Sequence, residues 1–271
     1  MDKMEWKRLK VENESGIVTV TLNRPEKMNA LDMALFQELD VVSKQLKQQK
    51  GVRAVIVNGA GGNFSSGLDV KSMVTSKKKA LSLLAKWLPG NANLAQRVSK
   101  NWRELPFPVI AVIEGKCYGG GMQIALGADF RFATPDCELS IMEIRWGLVP
   151  DMAGLLSLRE VVSKDVALKL TMSGDIVSGN TAKTLSLVTE VSHNPMQDAK
   201  VFCQKLSNGS PDALAAIKKT TNRCWNRSER YLFAHETYSQ IRLLLGRNFA
   251  IAGKRQRNKS EVDYQDRQSF W

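Results

Sequence analysis

Residues 109–121 read VIAVIEGKCYGGG, and this stretch decides the fold. Its first five residues are all apolar and follow a Pro-Phe-Pro turn, which predicts a buried strand over residues 109–113. Three glycines end the stretch, and residues 122–128 are predicted to form a helix directly after them. A buried strand that leads through a glycine turn into a helix is typical of an α/β protein.

The segments on either side repeat this alternation. Residues 17–23 read IVTVTLN, in which apolar and polar positions alternate as in a half-buried strand. An apolar residue then recurs every three or four positions from Leu31 to Leu46, which predicts an amphipathic helix. Residues 52–57, 130–133 and 137–141 are predicted to be further strands. We therefore expect parallel strands joined by right-handed crossovers.

The last 115 or so residues have a different pattern. Strand signals are lacking after about Ser157, and residues 158–253 are predicted to be helical. Residues 254–271 are charged and poor in aliphatic side chains. We expect this tail to be either frayed or packed against a neighbouring subunit.

The composition is that of an ordinary globular protein. Of the 271 residues, 43% are hydrophobic and 24% are charged. No apolar run approaches the roughly 18 residues that a membrane helix needs. The first residues are polar, so we expect no signal peptide and a cytoplasmic location.

The cysteines and histidines argue against a metal centre. Cys117, Cys137, Cys203 and Cys224 are too far apart in sequence for a CxxC motif or a zinc ribbon. We expect them to be reduced and mostly buried. The two histidines are 42 positions apart, so acid–base chemistry is expected to fall to carboxylates.

The formal net charge of +12 is unevenly distributed. Residues 70–103 carry eight basic side chains and no acidic one, and residues 242–271 carry seven basic side chains against three acidic ones. Such runs are found in proteins that attract phosphate-rich ligands, and also on ordinary solvated surfaces. The charge alone leaves both interpretations open.

Two glycine turns could carry chemistry. One is FSSGLD at residues 64–69, and the other is GGGMQ at residues 119–123. If they face each other, their backbone N–H groups could bind one carbonyl oxygen and form an oxyanion hole. The alternative is two tight turns without a ligand. Their spacing matches neither a P-loop nor a dinucleotide-binding fingerprint.

Five segments together resemble the crotonase superfamily, the enoyl-CoA hydratase/isomerase group. They are residues 22–31 (LNRPEKMNAL), 64–69, 109–121, 128–131 (ADFR) and 143–150 (EIRWGLVP), in family order and at family spacing. The resemblance covers nearly the whole chain. It implies a spiral of ββα units over residues 1–200, and a helical oligomerisation region over residues 201–271. It also implies a homo-oligomer, either a trimer or a dimer of trimers.

The resemblance implies that the substrate is an acyl-CoA thioester, with no separate cofactor and no metal. The oxyanion hole would be formed by the amides of Leu68 and Gly120. Further residues implied to contact the substrate or its CoA moiety are Lys27, Met28, Ser66, Gly67, Gly119 and Gln123. Phosphates of CoA would then be a partner for the basic runs.

The reaction depends on the carboxylates. Family hydratases use two glutamates, and their positions here hold Gln123 and Glu143. An amide cannot exchange a proton at neutral pH, so Gln123 is not an acid or base. Asp151, eight residues after Glu143, resembles a position in dienoyl-CoA isomerases of the family. The alternative for Asp151 is a turn-forming residue after Pro150.

The expected function is therefore double-bond migration in an enoyl- or dienoyl-CoA, with Glu143 and Asp151 as catalytic residues. The first alternative is hydration of a 2-enoyl-CoA with Glu143 as the only carboxylate base. A remote alternative is an RNA-binding protein on the same scaffold, for which the net charge is the argument. The chain has no RNA-binding motif and only 7% aromatic residues, so nucleic acid is not the expected partner.

Overall fold

A computed structural model describes residues 5–70, 82–258, 262–268 and 271. The described strands are β1 (Leu9–Glu14), β2 (Ile17–Leu22), β3 (Ala54–Gly59), β4 (Val109–Ile113), β5 (Lys116–Tyr118), β6 (Phe130–Ala133), β7 (Glu138–Ser140), β8 (Val177–Ser178) and β9 (Glu190–Val191). The helices are α1 (Met33–Gln48), α2 (Leu94–Arg103), α3 (Gly120–Leu126), α4 (Gly154–Val161), α5 (Lys164–Ser173), α6 (Gly179–Thr184), α7 (Pro195–Ser207), α8 (Pro211–Cys224), α9 (Glu229–Leu244) and α10 (Arg247–Asn258).

The strands form two sheets. The larger sheet has the order β1-β2-β3-β4-β6-β9, in which only β1 and β2 are antiparallel, and the smaller has the order β5-β7-β8. Consecutive strands change sheet: β4 lies in the larger sheet and β5 in the smaller, and α3 follows them. The next two strands repeat this change of sheet, with β6 in the larger sheet and β7 in the smaller. This is the predicted spiral of ββα units, and the α/β fold class is confirmed.

The larger sheet is covered on both faces. On one face, Val18, Val20 and Leu22 of β2 pack into a core with the apolar side of α1. On the other face, Ile56 and Ile110 pack against α7. Because both faces are buried, the central strands are almost entirely apolar, which is why β3 and β4 could be predicted from sequence.

Helices α1 and α2 are held at their N-termini by side-chain caps. Asp32 accepts a hydrogen bond from the Leu35 amide at 2.9 Å, and Asn93 and Gln96 form a reciprocal capping box. The second helix was not predicted, because its sequence stands out only as part of a basic run. Arg97 of α2 pairs with Asp40 of α1 at 2.9 Å, so one of these basic side chains has a structural role.

Four strands were not predicted from the sequence: β1, β5, β8 and β9. β5 has three residues between two glycine turns. β1 was missed because its sequence, LKVENE, is mostly polar, as suits an edge strand. β8 and β9 lie after residue 157, where no strand was expected. Each has two residues, which is too short to show alternation.

The tail is not frayed where the structure describes it. The Gln268 amide donates to Asp212 of α8 at 2.8 Å, and Arg267 donates to the Lys47 carbonyl at the end of α1. The tail therefore packs on its own chain. Its sequence gave no sign of this, because the contacts use backbone and polar groups rather than aliphatic side chains.

The predicted boundary at residue 200 falls inside helix α7, which packs on the larger sheet. Among the described residues, no helix is both long and apolar enough to cross a bilayer. All four cysteines are buried and unpaired, as expected.

Candidate active site

The two glycine turns meet in the structure. Ser65 and Cys117 form a parallel bridge, and a Cβ on Gly67 would lie only 2.9 Å from the Tyr118 carbonyl oxygen and 3.6 Å from the Gly120 nitrogen. Gly67 also has a φ of +89°, which side chains other than glycine rarely adopt. Glycine is therefore required at position 67 both for its conformation and for the close approach.

The peptide geometry directs the Leu68 amide away from the neighbouring Leu31. The Gly67 carbonyl accepts from the Leu31 amide at 2.8 Å. In a planar trans peptide, the N–H of the next residue points the opposite way. The Leu68 N–H therefore points away from Leu31, and it donates to none of the described residues.

The Gly120 amide is oriented by the helix that it begins. The Gly119 carbonyl accepts from the Gln123 amide at 3.0 Å, so it points along α3. The Gly120 N–H then points out of the N-terminal end, where helical amides have no partner within the helix. The two predicted oxyanion amides thus belong to adjacent turns, and each points out of its own hydrogen-bonded element.

Glu143 lies beside these turns. It begins a short 3-10 helix, Glu143–Trp146, and its Oε1 would lie 3.4 Å from a Cβ on Gly119. Oε1 accepts a hydrogen bond from Gln123 Nε2 at 2.6 Å. Oε2 is buried and has no partner among the described residues. One carboxylate oxygen is therefore fixed, and the other is available for proton transfer.

The electrostatic environment favours the protonated form of Glu143. Burial raises the pKa of its carboxyl group above the ordinary 4.5, and the nearby Asp151 charge raises it further. The hydrogen bond from Gln123 opposes this by stabilising the carboxylate. Burial also raises the pKa of Asp151 above 3.8. Two carboxyl groups with raised pKa values in one place suit a proton-transfer site.

Gln123 is fully buried, and both ends of its carboxamide are hydrogen-bonded to the protein. Besides donating to Glu143, it accepts from the Met152 amide at 2.8 Å and from the Gly154 amide at 3.1 Å. Sequence reasoning predicted that Gln123 contacts the substrate. No observation tests that contact, and the structure gives the side chain three protein partners. These backbone partners were not predicted, because an amide donor leaves no side-chain signal in a sequence.

Three of the predicted CoA-binding residues, Lys27, Met28 and Ser66, form a separate group beside the first glycine turn. The Ser66 amide donates to the Met28 carbonyl at 2.8 Å, and the Ser66 hydroxyl donates to the Lys27 carbonyl at 3.3 Å. Lys27 and Met28 are both exposed. The structure therefore brings Lys27, Met28 and Ser66 together next to Gly67.

In the described part of the basic run at residues 70–103, most of the basic side chains form ion pairs. Arg97 pairs with Asp40, Lys100 with Glu104, and Arg103 with Glu160. Lys71, Lys77, Lys78 and Lys79 lie outside the described residues. These pairs give the described part of the run structural partners within the chain.

A cavity of about 410 Å³ lies elsewhere, between α3, β6 and α8. It is lined by Asp129 and Lys218, whose charged groups are 2.6 Å apart. Lys218 also donates to the Trp102 and Phe107 carbonyls, each at 3.0 Å. This cavity contains neither the amides nor the carboxylates of the candidate site. Among the described residues, no cluster of three His, Cys, Asp or Glu side chains could hold a metal ion.

The comparison with known proteins decides the family. The enoyl-CoA hydratase/isomerase family model matches residues 12–241. The chain belongs to the enoyl-CoA hydratase/isomerase family. The match spans both glycine turns, Glu143 and Asp151.

Individual members of the family support the same conclusion. The short-chain-enoyl-CoA hydratase of Clostridium acetobutylicum is 30% identical over 81% of this chain and 83% of its own length. The mitochondrial Delta(3,5)-Delta(2,4)-dienoyl-CoA isomerase of Mus musculus is 30% identical over 76% of this chain and 65% of its own length. The crystal structure of enoyl-CoA hydratase from Bacillus anthracis superposes with a TM-score of 0.88, covering 95% of this chain and 99% of that one at 23% identity, which shows the shared fold.

Proposed function

We propose that this family member moves a double bond within an enoyl- or dienoyl-CoA thioester. The observation that carries the proposal is the state of two polar side chains beside the glycine triplet, Glu143 and Gln123. Glu143 has one buried oxygen without a partner among the described residues, whereas Gln123 is hydrogen-bonded at both ends of its carboxamide and cannot act as an acid or base at neutral pH. The second titratable carboxyl group is that of Asp151.

The glycine turns supply charge stabilisation in this proposal. Removing a proton from the carbon next to a thioester places negative charge on the carbonyl oxygen. The Leu68 and Gly120 amides would bind that oxygen, and donors of this kind contribute about 3–4 kcal/mol each to the transition state. The outward direction of both amides supports this assignment.

The proton steps balance without a cofactor. Glu143 Oε2 removes a proton from C2 of a 3-enoyl-CoA, and the electron pair passes into the dienolate. The same carboxyl group returns the proton at C4, which leaves the double bond between C2 and C3. No water is consumed and no electron is transferred, so the proposal includes neither a metal nor a cofactor.

Asp151 extends the proposal to a longer conjugated system. In a 3,5-dienoyl-CoA, the proton must be returned at C6, which is farther from C2 than one carboxylate spans. Asp151 is near enough to Glu143 for its charge to raise the Glu143 pKa. We propose that Glu143 removes the C2 proton while protonated Asp151 gives its own proton to C6, after which Glu143 loses a proton to solvent and Asp151 takes one up, so that both groups return to their starting states. The dienoyl-CoA isomerase among the similar proteins supports this assignment.

Hydration of a 2-enoyl-CoA is the second candidate. It is favoured by the names of the similar proteins, among which enoyl-CoA hydratases are the most common. In that reaction Glu143 would activate a water molecule. Gln123 could not act as a second acid or base, so the hydration rate is expected to be low.

The remaining assignments concern binding and assembly. Lys27, Met28, Ser66, Gly67 and Gly119 are proposed to contact the substrate, with the CoA moiety near the first three. A cytoplasmic homo-oligomer, either a trimer or a dimer of trimers, is proposed on family grounds. Helix α9 supports an assembly, because all sixteen of its residues are described and none is buried.

Parallel assays of one protein preparation test the function. A 3-enoyl-CoA and the 2-enoyl-CoA of the same chain length are supplied separately, and products are separated by liquid chromatography. We expect isomerisation of the first to exceed hydration of the second by at least tenfold. Faster hydration than isomerisation would assign the chain to the hydratases and reject the proposal.

A further inference from the structure

The strongest unassigned feature is the set of hydrogen bonds around Gln123. Its Oε1 accepts from two backbone amides, those of Met152 and Gly154. An amide N–H can only donate, so these two contacts identify which end of the Gln123 carboxamide is oxygen. The NH₂ group must then be the end that faces Glu143, at 2.6 Å.

This orientation distinguishes the two oxygens of Glu143. Because the Gln123 NH₂ can only donate, Glu143 Oε1 must accept and cannot carry a proton toward it. A proton on Glu143 is therefore carried by Oε2, which is buried and without a partner among the described residues. The contact fixes the rotamer of the side chain and also selects its reacting atom.

The other end of Gln123 reaches the segment that carries Asp151. The Met152 N–H belongs to the peptide bond that immediately follows Asp151, so the 2.8 Å hydrogen bond fixes that peptide. The approach of α4 is correspondingly close: a Cβ on Gly154 would lie 2.7 Å from Gln123 Oε1. Only glycine fits there without displacing Gln123. One buried side chain thus joins Glu143 to the peptide after Asp151.

We propose that Gln123 is a positioning residue that holds Glu143 Oε1 and the Asp151–Met152 peptide, so that Glu143 Oε2 is the proton-carrying atom. The inference rests on the proposed function, in which Glu143 transfers the proton. In this proposal the Gln123 side chain forms its hydrogen bonds with Glu143 and with the Asp151 segment, and not with the substrate.

The test uses two substitutions that separate the donor from the acceptor. Gln123→Glu keeps an oxygen for the Met152 and Gly154 amides but places a second carboxyl oxygen against Glu143 Oε1. Gln123→Met removes both functions at similar volume. Ser99→Ala is the matched control, because the Ser99 hydroxyl donates to the backbone carbonyl of Gln123 and leaves its carboxamide untouched.

The first readout needs no substrate, so it stands even if the proposed reaction is wrong. The Glu143 carboxyl carbon is followed by ¹³C NMR across pH and is assigned by its loss in Glu143→Gln. The hydrogen bond from Gln123 lowers the pKa of Glu143, and the charge of the titratable neighbour Asp151 raises that pKa. Arg145, two residues away, donates to the Gly174 carbonyl. We expect the midpoint to move to higher pH in Gln123→Met and farther in Gln123→Glu, with no movement in Ser99→Ala.

The second readout is catalysis. We expect kcat to fall about tenfold or more in both Gln123 variants, while KM changes less than threefold. A Glu143 midpoint that is unchanged in both folded variants would overturn the inference, as would an equal shift in Ser99→Ala. If the midpoint moves as expected but Glu143→Gln retains full turnover, the positioning role holds and the proposed reaction fails.

Discussion

Helices α3 and α9 differ in how their side chains are used. All seven residues of α3 are buried, including the polar Gln123. In α9, apolar residues such as Phe233 and Ile241 are more than half exposed. Helix α3 is fully buried within its own chain, and its one polar side chain, that of Gln123, donates a hydrogen bond to Glu143. The long helix leaves an apolar surface uncovered. The candidate site thus lies apart from the exposed apolar surface that we propose to be covered in an assembly.

The largest expected effect compares one glutamate from each region. Glu143→Gln removes the proton-carrying oxygen, so kcat on a 3-enoyl-CoA is expected to fall by about 10²–10⁴-fold. Glu236→Gln makes the same chemical change on the exposed side of α9 and should leave kcat within about twofold. Steady-state kinetics on both variants provides the measurement. Equal losses would mean that chemistry is not confined to the α3 region.

The second prediction concerns α9. Phe233→Glu together with Ile241→Glu places two charges on the exposed apolar surface, which should prevent burial of that surface against another copy. Analytical ultracentrifugation is expected to show the mass of a single 30.2 kDa chain for the variant and a multiple of it for the original protein. The rate per chain should change less than about threefold. An unchanged assembly would show that α9 is not an interface.

The smallest expected effect is on pH dependence. As a base, Glu143 must be ionised, and burial raises its pKa above the ordinary 4.5. Activity should therefore fall as the pH is lowered through the raised value, at a higher pH than for an ordinary glutamate. The acidic limb of kcat/KM for a 3-enoyl-CoA reports this directly. A limb at or below 4.5 would contradict the burial that the structure shows.

The sequence predicted the elements that bury continuous apolar runs. β4 has the bounds that were expected, because a strand buried on both faces is apolar throughout. β6 also has the expected bounds, although it contains the buried Arg131. The edge strand β1 was missed because its exposed positions are polar. The end of the chain was also misjudged, since Arg267 and Gln268 are held by hydrogen bonds that leave no hydrophobic pattern.

The site was predictable in its components but not in its connections. The glycine turns indicated an oxyanion hole, and the resemblance placed its two amides at Leu68 and Gly120. The role of Gln123 depends on the Met152 and Gly154 amides, which are 29 and 31 residues away in sequence. Backbone donors are the same at every non-proline position, so only three-dimensional structure identifies them.

The most direct test of the central claim is an ultraviolet assay with a 3,5-dienoyl-CoA. Bringing the diene into conjugation with the thioester creates a new absorption band, whereas hydration does not. We predict growth of the band with the original protein, its loss in Glu143→Gln, and a strong reduction in Asp151→Asn. A band that grows equally well in Glu143→Gln would contradict the claim that this site moves double bonds through Glu143, and a band that fails to grow would contradict the assignment of Asp151 as the proton donor to C6.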